Sequence, residues 1–197
     1  MTNNNQSIFG FNNKQEITQL VVDDKYINQL ISIPNNPVDL NKLVLHIYNG
    51  IIDNENQFER RNLPPDIDEK LDFNNVLTYR FLIESNYSEN AYYLENAYDS
   101  LNTETPGRKK VFLNYINSIY LTVLGDLLKQ NQKMKKMEII TNFADTIISN
   151  VISSLLISIA SNTKGISHLS SESINLNVVT IVCHAFVDCK VLENPNN

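Results

Sequence analysis

Apolar residues recur along most of this chain at the three- and four-residue spacing that places them on one side of an α-helix. Beyond a polar, asparagine-rich start, Ile17, Leu20, Val21, Ile27, Leu30 and Ile31 predict a first helix over residues 15–31. Ile33-Pro34-Asn35-Asn36-Pro37 interrupts it. Asn36 suits an N-cap, Pro37 suits the first helical position, where its missing N–H costs nothing, and Asp39 answers the positive helix end. Leu40, Leu43, Val44, Ile47, Tyr48 and Ile51 then predict the inward face of a second helix over residues 37–52. Residues 53–61 read as a charged connector. Pro65 drives Pro64 out of the helical region, and Asp66 can cap a short helix with Ile67, Leu71 and Phe73 or Asn74 on one face. A longer helix is predicted over residues 76–101, weakened near Asn86 by Ser85-Asn86-Tyr87-Ser88.

Thr105-Pro106-Gly107 stops that helix and starts another. Val111, Phe112, Tyr115, Ile116, Ile119, Tyr120, Val123, Leu124 and Leu127 form a wide stripe. Residues 134–160 are strongly helical by the spacing of Ile139, Ile140, Phe143, Ile147, Val151, Leu155 and Ile159. A loop holding Gly165 precedes a last helix, predicted from Ser171 to about Leu192, with Val178, Ile181, Val182, Ala185, Phe186 and Cys189 inward. Val178-Val179-Thr180-Ile181-Val182 also suits a strand, but the length of the apolar pattern favours the helix. The expectation is an all-α compact bundle of about six or seven helices, with a disordered tail over residues 1–13 and a single helical domain over residues 14–197.

Composition sharpens this. Hydrophobic residues make up 42% and charged residues 19%, which suits a folded chain. Only 5 Gly and 6 Pro occur, too few for the turns of an all-β fold or for glycine-rich phosphate loops. The formal net charge of −6 excludes a broadly basic domain, but a local basic face remains open. Arg108-Lys109-Lys110 and Lys133 with Lys135-Lys136 each lie near a predicted helix start, where charges are ordinarily solvated. Arg108, Lys109 and Lys110 carry the alternative reading of a nucleic-acid-binding regulator. The apolar run over residues 147–160 is too short to span a bilayer and is interrupted by serines and Asn150, and the N-terminus shows no signal peptide, so a cytoplasmic protein without membrane contact is expected. Two cysteines, Cys183 and Cys189, are too few for a disulfide framework and read as reduced, buried thiols.

Candidate chemistry is sparse. Tyr79, Phe81, Tyr87, Tyr92, Tyr93 and Tyr98 are dense, but base stacking wants interleaved Lys and Arg, and only Arg80 is near. Packing in a core or at an interface is the better reading, with Tyr92, Tyr93 and Tyr98 as candidate partner contacts and the stripe over residues 111–127 as a second surface. His184 and Asp188 stand one helical turn apart beside the cysteines, but no Cys-x-x-Cys or His-Glu-x-x-His spacing occurs. No metal is therefore expected, and His184 reads as a hydrogen-bonded core histidine. Adjacent Cys183 and His184 diverge by about 100° on a helix and make a poor nucleophilic pair. Asp66, Asp68, Glu69 and Asp72 resemble nuclease carboxylates but already answer a helix dipole. Asp66, Glu69 and Lys70 acting together would be the basis of a helical enzyme. No catalytic residue or cofactor is assigned.

Four segments, taken together, resemble the helical C-terminal domains of bacterial ABC three-component systems. Asn62-Leu63-Pro64-Pro65-Asp66-Ile67-Asp68-Glu69-Lys70-Leu71-Asp72-Phe73-Asn74 resembles a leading P-x-x-x-x-E-K-I-x-F-N pattern. Tyr115-Ile116-Asn117-Ser118-Ile119-Tyr120-Leu121, with Gly125-Asp126 after it, resembles an I-x-x-x-Y-L helix followed by glycine. Ala185-Phe186-Val187-Asp188-Cys189-Lys190-Val191-Leu192-Glu193-Asn194-Pro195 resembles a closing A-F-x-x-C-K-[IV]-L-E-x-P signature. The likeness covers about residues 40–195. It implies defence against phage or other mobile DNA, alongside an ABC-type ATPase, a small middle component and an effector. In such systems the helical domain is usually fused behind the effector. Here no effector precedes the helical region in this sequence: a complete chain would be a non-catalytic adaptor, a piece of a longer protein would have its activity elsewhere, and the family supplies no catalytic residue to carry over.

Overall fold

The computed structural model describes residues 37–50, 66–104, 106–160, 166, 169–188 and 190–196. The expected tail, the first predicted helix, the Asn36 cap, the connector over residues 53–61, Gly165, His168 and Cys189 lie outside them. The protein is all-α, and the described residues form six helices: α1 Pro37–Gly50, α2 Ile67–Phe73, α3 Arg80–Glu104, α4 Arg108–Gln130, α5 Lys136–Ala160 and α6 Ser171–Val187. Helix α3 packs on α6, α1 and α4, while α5 packs on α4 and α6. The last helix, α6, is therefore central and buries almost every residue from Leu176 to Val187. This burial decides the strand question: the β-branched run Val178–Val182 is helical because α6 is covered on several sides at once.

Local chemistry sets the ends of the helices. Asp66 Oδ1 accepts from Asp68 N at 2.9 Å and starts α2. Its inward face uses Asn74, wholly buried, and leaves Phe73 exposed. Helix α3 starts at Arg80, later than the pattern predicts, because its cap comes from another helix. The Asp145 carboxylate on α5 accepts from the backbone N–H groups of Leu77, Thr78 and Tyr79 at 3.3, 3.1 and 3.1 Å. An anion at a helix N-terminus is doubly favoured, by unpaired N–H groups and by the dipole. The expected interruption near Asn86 is absent, since α3 runs through it. Burial of Leu82, Ile83, Leu94, Tyr98 and Leu101 outweighs the weak propensity there.

Gly107 takes φ +90° at the start of α4, a region that L side chains rarely occupy. Val111 is exposed and Leu113 is buried, so the buried face of α4 is rotated slightly from the predicted stripe, most of which is core. Helix α5 bends at Phe143, whose φ −125° and ψ 20° leave the helical region. By length and composition alone α4 and α5 are apolar enough to cross a membrane, and residues 147–160 are only part of such a helix; each buries one face in the bundle. Helix α6 is capped by Ser170 Oγ, which accepts from Ser173 N at 3.1 Å. It ends at Val187, short of the predicted Leu192, and Leu192 itself reverses the chain with φ +61°.

Candidate functional site

Two polar clusters gather at the C-terminal end of α6. The first lies between α3, α4 and α6. His184 is buried and its Nε2 stands 3.1 Å from Glu95 Oε1, while its Nδ1 stands 3.9 Å from Asp188 Oδ2. Lys109 Nζ donates to both Glu95 carboxylate oxygens, at 2.8 and 2.7 Å, and lies 3.8 Å from Asp188 Oδ2. Tyr98 packs edge-on against His184, with ring centroids 5.4 Å apart, and Lys109 Nζ sits 5.1 Å from the Tyr98 ring centroid. Burial, and then the charges of Asp188 and Glu95, push the Tyr98 phenol well above its ordinary pKa. Burial holds the His184 imidazolium below its usual range, against the opposing pull of Asp188 and Glu95. The ring lies between the two carboxylates, Nε2 facing Glu95 and Nδ1 facing Asp188. Next to it, burial pushes the Cys183 thiol up to about 12, so this cysteine is a packing residue and not a nucleophile.

The second cluster ties the C-terminal segment to the bundle. The side chain of Lys70 on α2 is buried and donates to the backbone carbonyls of Phe186 and, at 3.0 Å, Val191. The ammonium also lies 4.4 Å from the Phe186 ring centroid. It meets the Phe186 carbonyl in the last turn of α6, where a cation is favoured, and a carbonyl of the segment that follows. Asn74 Nδ2 donates to Lys70 O at 2.8 Å and Glu193 O at 2.9 Å, and Asn74 Oδ1 accepts from Glu193 N at 3.1 Å. Asn117 Nδ2 donates to Lys190 O at 2.7 Å, Tyr120 Oη donates to Glu193 Oε1 at 3.0 Å, and Lys136 pairs with that oxygen at 2.8 Å. Val191, Leu192 and Asn194 are buried beneath this clamp. Three of the segments that carry the family resemblance therefore meet in space: the Glu-Lys-Leu-x-Phe-Asn piece, the helix with Asn117 and Tyr120, and the closing Lys190-Val191-Leu192-Glu193.

The structure corrects several sequence expectations. Tyr98 is buried against Phe112 and His184, so it is no surface contact. Tyr92 and Tyr93 are 72% and 40% exposed and stack edge to face, 5.8 Å between centroids. Arg108, Lys109 and Lys110 form no uniform phosphate patch. Lys109 is turned onto Glu95, Arg108 lies 5.1 Å from the Tyr48 ring centroid, and Lys110 alone of the three is exposed. Asp66, Glu69 and Lys70 diverge: the two acids are exposed, whereas Lys70 points into the core. Asp68 and Asp72 pair with Arg80. His184 is the buried, hydrogen-bonded histidine that the sequence suggests. Its partners Glu95 and Lys109 escaped sequence reasoning because they come from other helices. No protein-family model, no curated protein and no solved structure matches this chain.

Proposed function

We propose that the protein is a non-catalytic helical adaptor that docks another protein subunit on the outer face of α3. The observation that carries this reading is the pair of exposed aromatic rings there. Phe81 is 62% exposed and Tyr92 is 72% exposed. Eleven residues on a helix return to within about 20° of the same direction and advance about 16 Å, so these two rings share one face. Tyr93 borders that face, and Leu77, in the turn before the helix, is exposed as well. Ser85 lies between the two rings on this face, and large exposed aromatic groups with small polar neighbours are typical of an interface. The ionisable groups outside this face are largely committed to one another or to backbone, which favours binding over catalysis.

The resemblance to ABC three-component systems supplies the setting: a prokaryotic defence complex in which an ABC-type ATPase, a small middle component and an effector are the partners, in the cytoplasm. The meeting of its motifs at the tail clamp supports reading them as one structural unit. The test is co-purification with the products of adjacent genes. Wild-type chain retains a partner, and a Tyr92→Ala/Tyr93→Ala chain of unchanged helicity loses it. Equal capture by both chains rejects the α3 face.

A further inference from the structure

A different part of the molecule carries an independent inference. Glu95, His184 and Asp188 each offer one ligand atom, and these three atoms lie within 4.8 Å of one another. Donor atoms bound to one metal at about 2.1 Å stand about 3.0–3.4 Å apart. Glu95 Oε1 and His184 Nε2 already stand 3.1 Å apart, whereas Asp188 Oδ2 lies 3.9 Å from the other ring nitrogen, Nδ1, and has to turn toward Glu95 to complete the set. One imidazole with two carboxylates is a donor set for borderline divalent ions such as zinc. Glu95 and Asp188 side chains are 43% and 28% exposed, which gives an ion a route from solvent to the buried histidine.

The charge balance also leaves room for a cation. Among the described residues, these two carboxylates share one ammonium, that of Lys109. Asp188 is moreover the C-cap of α6, at the negative end of the helix dipole. Lys109 balances one of these negative charges and leaves the other. A second observation points to a missing ligand: the wholly buried Tyr98 hydroxyl has no hydrogen-bond partner among the described residues, although it lies in the field of both carboxylates. Buried hydroxyls are nearly always paired. Water carried by a bound ion would supply the acceptor.

We propose that Glu95, His184 and Asp188 bind a divalent transition-metal ion of the zinc type, and that Lys109 is a built-in monovalent cation which the ion displaces. The site ties α3 to the end of α6, so the ion fastens the centre of the bundle. The test is titration of the untagged full chain with zinc chloride by calorimetry, and with cobalt chloride by visible absorption. One equivalent binds, and cobalt shows the spectrum of a low-coordinate nitrogen and oxygen site. Asp188→Asn and Glu95→Gln, both at half-open positions, each weaken binding by about 10- to 100-fold while leaving helicity unchanged. Lys109→Met tightens it by about tenfold, since a repelling charge is gone. His46→Gln leaves it unchanged. Absence of stoichiometric binding, binding that persists in both carboxylate variants, or weaker binding in Lys109→Met would each overturn the proposal.

Discussion

Two lysines meet the end of α6, and they are used in opposite ways. Lys70 is buried and surrounded by backbone carbonyls and a ring face, all fixed by the fold. Lys109 is part-buried and faces side-chain carboxylates that can rotate, pair elsewhere or accept a different cation. Backbone carbonyls at a helix end have no second use, so a cation bound there works as a rivet. A cation held by Glu95 and Asp188 beside His184 is exchangeable. The fold therefore keeps an immovable charge at the tail clamp and adjustable charges between α3 and α6.

The largest expected effect tests the rivet. Lys70→Met keeps the apolar stem but leaves the Phe186 and Val191 carbonyls without their donor. It should lower stability by about 3 kcal/mol, the scale of losing hydrogen bonds from a buried charge, as read from urea unfolding. A loss below about 1 kcal/mol would place Lys70 in the same class as Lys109. Asn74→Ala removes the bridge between α2 and Glu193 and should cost about 1–2 kcal/mol. It should also raise amide exchange of residues 190–194 more than that of α5, and equal change in both would mean that no separate clamp exists. Lys109→Met should cost at most about 1 kcal/mol, because its partners are partly solvated. Its effect should shrink further in concentrated salt, whereas that of Lys70→Met should not, since screening reaches exposed pairs and not buried ones. Equal salt dependence of the two would remove the distinction.

The sequence shows the helices well and their meetings poorly, for a physical reason. Helical periodicity is local, so the inward residues of α1, α5 and α6 can be read along the chain itself. The Asp66 cap and the Gly107 restart are local too. Asp145 is not: it caps a helix from which it is separated by more than sixty residues. Likewise His184 and Asp188 show as neighbours on one helix, while Glu95 and Lys109 reach them only once α3 and α4 pack. Lys70 enters the sequence reading beside Asp66 and Glu69 as the basis of a helical enzyme, because the carbonyls that take its ammonium, those of Phe186 and Val191, lie more than a hundred residues away. Tyr98 fails in the other direction. Among the tyrosines of α3 it sits on the inward face with Leu94 and Leu101, and counting helical turns from those leucines separates it from Tyr92.

Docking of a partner on the outer face of α3 is tested by site-specific photocrosslinking. A benzoylphenylalanine at position 92 is compared with one at exposed Thr122 on α4, in cells that also express the adjacent genes. Docking on this face gives a covalent protein adduct from position 92 and none from position 122. An adduct from position 122 alone, in a chain of normal helicity, would contradict it.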